Sequence, residues 1–338
     1  MISAGQRVVV TGGAGFVGSH LVEALRRRGA LVDVIDLAER PRHLPADVGY
    51  VRADVSSLDV LAAHLRRGDV VFHLAGNSST TTSVLDPLAD LSRNAQGTVA
   101  VLEGCRRSAV SKVVYVSSAS VYGKPETVPI NETHRTWPLF PYGVSKLTGE
   151  RYCTAYSSMY GLPVVVARPF CVYGPGENPA HALVEVSRYL RWHLAGHPVP
   201  VIGDAARKTR DFIHVHDAVD ALLLLACRAE NGGIYNVGTG TETSMRALVR
   251  EIGACCGGHA ELAEDPAVED DTYRLVADIG KLTALGFRPR VGLRDGLAAL
   301  ARSLGSSPAV PTNRTIFRSG DPGEVCVRDY GLRTSSMT

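Results

Sequence analysis

Tyr142 and Lys146 stand four residues apart in Pro141-Tyr-Gly-Val-Ser-Lys146, and Ser118 lies upstream in Ser117-Ser-Ala-Ser120. Pro141 suits the first turn of a helix, and a spacing of four puts both later side chains on one helical face. A phenol titrates at about 10 and is a poor base at neutral pH. A lysine ammonium one turn away is expected to stabilise the phenolate. A serine hydroxyl at the end of the preceding strand can share a hydrogen bond with a substrate alcohol. Together the three read as a site that takes a proton from a secondary alcohol, with Tyr142 as acid/base and Ser118 polarising and orienting the reacting oxygen. Taken alone, Tyr-x-x-x-Lys fits the surface of any helix, so the reading depends on what surrounds it.

The N-terminus supplies that context. Arg7-Val-Val-Val10 is a β-branched run that reads as a buried strand. It feeds into Thr11-Gly-Gly-Ala-Gly-Phe-Val-Gly18 and then a helical pattern carrying Val17, Leu21, Val22 and Leu25 on one face. Strand, glycine turn and helix in that order make a phosphate cradle. Gly12 permits the tight turn, Gly15 lets the backbone approach a pyrophosphate, and Gly18 allows close helix–strand packing. The helix N-terminus adds free N–H groups and about half a positive charge. A second strand, Leu31-Val-Asp-Val-Ile35, ends at Asp36. That carboxylate can accept from a ribose 2′-hydroxyl and would repel a 2′-phosphate, so the cofactor reads as NAD(H) rather than NADP(H). A nicotinamide cation held here would stabilise the Tyr142 phenolate further, and Lys146 has reach to a ribose hydroxyl.

Strand and helix patterns alternate through the first half. A third strand is expected over residues 50–55. Asp54 and Val55 at its end could meet an adenine edge, although Asp54 alone serves equally well as a helix N-cap. Further strands are expected at 69–75, 112–116 and 162–168, with helices over 87–107 and from Pro141. The polar loop 77–83 follows a strand end, where ligands bind in open α/β sheets. After about residue 173 the rhythm changes at a bend rich in Pro and Gly. The expected architecture is α/β: a Rossmann-like, doubly wound parallel sheet with a smaller C-terminal substrate lobe. The sheet domain takes residues 1–173 and 211–240, the lobe 174–210 and 241–303, and residues 304–338 read as an extended tail or arm. The helices over 87–107 and 141–160 carry apolar residues beyond one stripe and could pair with symmetry mates in a homodimer.

The totals allow this. The chain has 338 residues and a formal net charge of +2, so charge argues for neither nucleic acid nor a membrane surface. Seven cysteines occur without a Cys-x-x-Cys pair, which reads as free thiols in a reducing, cytoplasmic setting. The first strand begins almost at once, leaving no room for a signal peptide. No metal-ligand pattern stands out.

On these motifs the chain resembles the extended short-chain dehydrogenases/reductases of the NAD-dependent epimerase/dehydratase family, and most of all the nucleotide-sugar (UDP-glucose-type) 4-epimerases. The likeness covers about residues 7–300. It rests on TGGAGFVGSH, HLAG, NAQGT, SSASVYG, PYGVSK, RPFCVYGPG, RDFIHVHD, NVGTG and RLVADIGK. It implies 4-epimerisation through a transient 4-keto sugar, a nucleotide-diphosphate sugar substrate and a homodimer. It implies Ser118, Tyr142 and Lys146 as catalytic residues. For NAD it implies Gly12, Gly15, Phe16, Val17, Gly18, Asp36, Asp54, Val55, Leu74, Ala75, Asn94, Tyr142 and Lys146. For the substrate it implies Ser118, Ser120, Tyr142 and Arg210, the last gripping the diphosphate. Arg210 could instead serve an ion pair with the neighbouring lobe. The chain departs from the family pattern in places. Cys171 stands where Asn is frequent, HLAG replaces HLAA, and Ala205 replaces a frequent Gly. A second phosphate-binding Arg would fall at Val268, and Arg274 is its nearest substitute. Dehydratase relatives carry Asp-Glu after the catalytic hydroxyl, where this chain has Ala119 and Ser120. A net ketoreductase or dehydrogenase of the same substrates, and a non-catalytic NAD sensor, are the alternatives.

Overall fold

Valine runs dictate the centre of the molecule. In the computed structural model, which describes residues 2–178, 184–265, 273–305, 308–309, 313–318 and 325–330, these runs become strands, the central ones buried on both faces and the outermost, Gly49–Arg52, only partly buried. In chain order these are β1 (Arg7–Thr11), β2 (Leu31–Asp36), β3 (Gly49–Arg52), β4 (Val70–His73), β5 (Lys112–Val116) and β6 (Val164–Pro169). Helices connect them: α1 (Phe16–Arg27), α2 (Leu58–His64), α3 (Thr80–Leu85), α4 (Pro87–Leu91), α5 (Gly97–Arg107) and α6 (Pro141–Tyr160). Val8 and Val10 pack toward α1, and Val9 packs toward α2 and α5, so β1 feeds both cores with alternate residues.

The second part of the chain comprises β7 (Cys171–Tyr173), α7 (Glu185–Leu194), β8 (Val199–Ile202), β9 (Thr209–Arg210), β10 (Phe212–His214), α8 (Val215–Arg228), β11 (Ile234–Val237), β12 (Thr243–Ser244), α9 (Met245–Cys255), β13 (Leu262–Asp265), β14 (Arg274–Leu275), α10 (Gly280–Ala284) and α11 (Leu293–Leu304). Among the described residues, seven strands join in the order β11-β6-β5-β4-β1-β2-β3, every pair parallel. The order reverses between β1 and β4, which opens a crevice at the carboxyl ends of those two strands. α7, α9 and α11 enclose a separate core around Tyr189, Leu248, Ile252 and Leu297. Strand β11 returns to the main sheet, and α8 packs on that sheet's core.

Buried polar side chains stitch the crossings between the two parts. Asp211 accepts from the Thr239 and Gly240 amides, the Thr239 hydroxyl and the Ala277 amide. Asn236 donates to the carbonyls of Ile130 and Asp278. Leu282 and Phe287, which the sequence assigns to the lobe, pack in the core of the main sheet beside α8.

Three local expectations change. The third strand stops at Arg52, because Asp54 turns back to accept from the Ser56 amide and Ser57 caps α2. The span 87–107 is not one helix: α4 and α5 are separated by a π-helical turn, Ser92–Gln96. The segment read as an extended tail contains an antiparallel pair, β15 (Asn313–Arg318) with β16 (Val325–Tyr330).

Candidate active site

The glycine turn lies at the mouth of the crevice. Gly12 has φ +73°, and a Cβ there would sit 2.6 Å from the Ala75 nitrogen and 2.8 Å from the Leu74 carbonyl carbon. A side chain at Gly18 would fall 2.8 Å from the Gly13 Cα. The loop therefore presses against the end of β4 and against its own helix as the sequence requires. Gly15 stands at the N-cap of α1, with Phe16 and Val17 opening the helix, and no side chain caps it. Asp36, at the end of β2, accepts from the Ala14 and Ala38 amides at 2.9 and 3.0 Å. Val55 is buried and meets α5, where a Cβ on Gly97 would touch it at 3.6 Å.

Helix α6 carries Tyr142 and Lys146, both buried, toward the end of β5. Ser118 caps a 3₁₀ turn after β5 and its hydroxyl lies 3.1 Å from that of Ser120. Burial raises the Tyr142 phenol above its usual value, a hydrogen bond from Ser118 works against this, and Asp90 adds to the rise. The counterweight within the chain is thus Ser118, where the sequence suggests Lys146. The Lys146 amine instead donates to the Val116 carbonyl at 3.0 Å, and burial pulls it down to about 8.

A polar cluster that the sequence reading missed lies behind these groups. Asp90 of α4 accepts from Asn77, Asn94 and Ser145. Asn94 sits in the π-helical turn, and its Oδ1 is buried without a hydrogen-bond partner among the described residues. Gly76 shows where that oxygen looks: a Cβ there would run into Asn94 Oδ1 and lie 3.7 Å from Lys146 Nζ. Gly76 also has φ +151°, so HLAG rather than HLAA follows from both backbone and space. His73 is fully buried between Thr11 and Thr98, and burial holds it neutral, down to about 3. Beneath α6, Glu150 and Arg168 form a buried bidentate pair at 2.9 and 2.7 Å, and Ser117 donates to the same carboxylate.

The two expected diphosphate arginines form a second group. Arg210 on β9 and Arg274 on β14 lie on adjacent strands, with Arg274 in register with Thr209. Arg210 is buried and pairs with Glu185 at 3.3 Å. Arg274 is held by both oxygens of Glu242 at 2.7 and 2.8 Å. Val268 lies outside the described residues.

Residues 8–238 match the family described as the NAD dependent epimerase/dehydratase family. The chain belongs to the NAD dependent epimerase/dehydratase family. A UDP-glucose 4-epimerase of Mycolicibacterium smegmatis is 36% identical over 303 residues, 86% of this chain and 96% of that one. A dTDP-glucose 4,6-dehydratase of Streptomyces griseus is 33% identical over 307 residues, 86% of this chain and 92% of that one. The crystal structure of Thermus thermophilus UDP-glucose 4-epimerase with NAD has a TM-score of 0.81 and 35% identity, covering 88% of this chain and 98% of that one.

NAD is the cofactor of this family, and the residues present fit it. The features that suit it are a glycine turn that a Cβ would fill, a helix N-terminus without a side-chain cap and, among the described residues, a buried Asn94 oxygen without a hydrogen-bond partner. Among the described residues no group of three or more His, Cys, Asp or Glu side chains could hold a metal ion. None of the described helices is long and apolar enough to cross a membrane.

Proposed function

We propose that this protein is an NAD-dependent nucleotide-sugar 4-epimerase. Gly12, Gly15, Phe16, Val17 and Gly18 would hold the pyrophosphate end of NAD. Asp36, Asp54 and Val55 would hold its adenosine, and Leu74, Ala75, Asn94, Tyr142 and Lys146 the nicotinamide half. Bound NAD supplies hydride acceptance and return at the sugar's carbon 4. The Tyr142 oxygen takes the proton of the sugar 4-hydroxyl and later gives it back. Ser118 hydrogen-bonds the reacting oxygen and keeps it aligned with Tyr142, while Ser120 contacts the sugar. Lys146 keeps positive charge beneath the phenol. Arg210 and Arg274 would take the substrate diphosphate in exchange for part of their present carboxylate contacts.

The observation that favours epimerisation over dehydration is the turn after Ser118. Elimination of water needs an additional acid/base pair, and Ala119 and Ser120 offer none. A substrate deuterated at carbon 4, tested across UDP-, dTDP-, CDP- and GDP-sugars, discriminates the readings. Epimerisation gives an inverted product that retains its deuterium and consumes no cofactor. Label accumulating in released NADH would instead make the protein a net dehydrogenase.

A homodimer belongs to the same reading. Leu88 and Leu91 of α4 and Val144, Tyr152, Met159 and Tyr160 of α6 are exposed, with Leu88 at 78% and Met159 at 72%. Two neighbouring helices with such faces suit a four-helix interface. Light scattering at micromolar concentration should give twice the chain mass, and a monomer mass would refute the assembly. Among the described residues, six of the seven cysteines are free thiols, which accords with a reducing, cytoplasmic setting.

A further inference from the structure

We propose that Asp90 is a positioning residue: it fixes the amide of Asn94 so that its carbonyl oxygen faces the nicotinamide half of the cofactor. The proposal rests on the NAD-binding reading of Asn94 and goes beyond it by naming what sets that side chain.

Asp90 is only 2% exposed, an unusual place for a carboxylate on a five-residue helix. Three side chains satisfy it, and each comes from a different wall of the site. Asn77 Nδ2 donates at 2.7 Å from the loop after β4. Asn94 Nδ2 donates at 3.0 Å from the π-helical turn. Ser145 Oγ donates at 2.6 Å from α6, between Tyr142 and Lys146.

An ionised carboxylate only accepts, so the Asn94 nitrogen must face it, and the amide has one orientation instead of two. Asn94 Nδ2 spends its other hydrogen on Ser145 Oγ at 3.0 Å. With both hydrogens committed, Oδ1 is turned toward Gly76 and Lys146, where it stands buried and unpartnered. A buried amide oxygen without a partner costs stability unless a donor arrives. A ribose hydroxyl or carboxamide N–H is such a donor. The π-helical turn serves the same end, because the extra residue per turn rotates Asn94 inward out of the α-helical face.

The charge of Asp90 has a second consequence. The groups around the Lys146 amine are Asp90 from α4, Glu150, Cys153 and Tyr142 from its own helix, His73 from β4, and the Tyr115 ring of β5 at 5.4 Å. His73 is neutral and Tyr115 keeps its proton at neutral pH, so the standing negative charges are Asp90 and Glu150, joined by Tyr142 only while it is the phenolate. Burial lowers the lysine, and Asp90 is the foremost of the groups that hold it up. Removing that charge lowers the Lys146 pKa, so the ammonium is lost at a lower pH.

The experiment compares wild type, Asp90→Asn, Asn94→Ala and the double variant. NAD binding to the cofactor-stripped protein is measured by calorimetry, and kcat/KM against pH is measured for the reloaded enzyme. Asp90→Asn should weaken NAD binding by about 10-fold or more, and Asn94→Ala by a similar factor. The double variant should be little worse than either single one, since Asp90 acts through Asn94. Both proteins that carry Asp90→Asn should move the alkaline limb of kcat/KM to lower pH, and Asn94→Ala by itself should not. Additive losses, or an Asp90→Asn protein with wild-type NAD affinity and an unmoved limb, would overturn the proposal. So would wild-type affinity in Asn94→Ala. A wild-type protein that takes up no NAD would instead bring down the underlying reading and this proposal with it. If Asp90→Asn does not fold, Ser145→Ala removes one of the Asn94 partners and leaves the carboxylate in place. It should weaken NAD binding several-fold with the alkaline limb unmoved, and unchanged affinity would again overturn the proposal.

Discussion

Replacing Tyr142 by Phe should lower turnover by about 100- to 10,000-fold while NAD still binds. The substitution keeps the ring in its buried slot and removes only the oxygen that moves the proton. The buried phenol sits above its usual pKa, with Ser118 as the neighbour opposing the rise. Ser118→Ala should therefore be milder, because one oriented hydrogen bond is lost while the phenol remains. Rates of epimerisation for both variants, with NAD content determined on the same samples, check this. A Phe variant within about 10-fold of wild type would move the acid/base role elsewhere.

The second large effect is on stability. Glu150→Gln should destabilise the fold by about 3–5 kcal/mol, as expected when one partner of a buried ion pair is removed. Arg168 is 3% exposed and Glu150 2%, so the orphaned guanidinium has no route to water. Arg168 does keep Tyr122 and the Glu132 carbonyl, which limits the loss to the charged contact. Glu150→Leu with Arg168→Met, which removes both charges, should cost less than the single change. Urea unfolding of the three proteins decides the matter. Equal stability of wild type and Glu150→Gln would show that the pair contributes nothing net. Because Ser117 donates to the same carboxylate at 2.5 Å, the pair also ties α6 to the strand end that carries Ser118.

Much of this was legible in the chain itself. The valine runs, the glycine turn and Asp36 are local patterns, and each emerges in its expected place because β-branched residues and positive-φ glycines leave few alternatives. Tyr142 and Lys146 could be put on one helix face from spacing alone. What could not be read were partnerships between distant segments. Asp90 looks like one more charge on a helix, and only the approach of α6 and residue 77 makes it a buried acceptor. The π-helical turn has no residue signature that separates it from continuous helix. Arg210 reads as a phosphate clamp, yet Glu185 comes to meet it from α7. The Asp four residues before Asn94 and the Ser beside Lys146 were the available clues, and neither has meaning without the tertiary fold.

The late return of β11 to the sheet has a consequence for how the chain leaves the ribosome. Six strands of the main sheet are complete by Pro169, but the seventh begins only at Ile234. At about 5–20 residues per second, the nascent chain spends several seconds with β6 as an outer edge. That edge begins with the apolar row Val164-Val-Val-Ala167 and ends at Arg168 and Pro169, with its backbone donors and acceptors open until β11 arrives. Such a row invites pairing with another emerging chain. Production of this protein in a foreign host should thus be limited by that interval, and chaperone supply or slower growth acts on it directly.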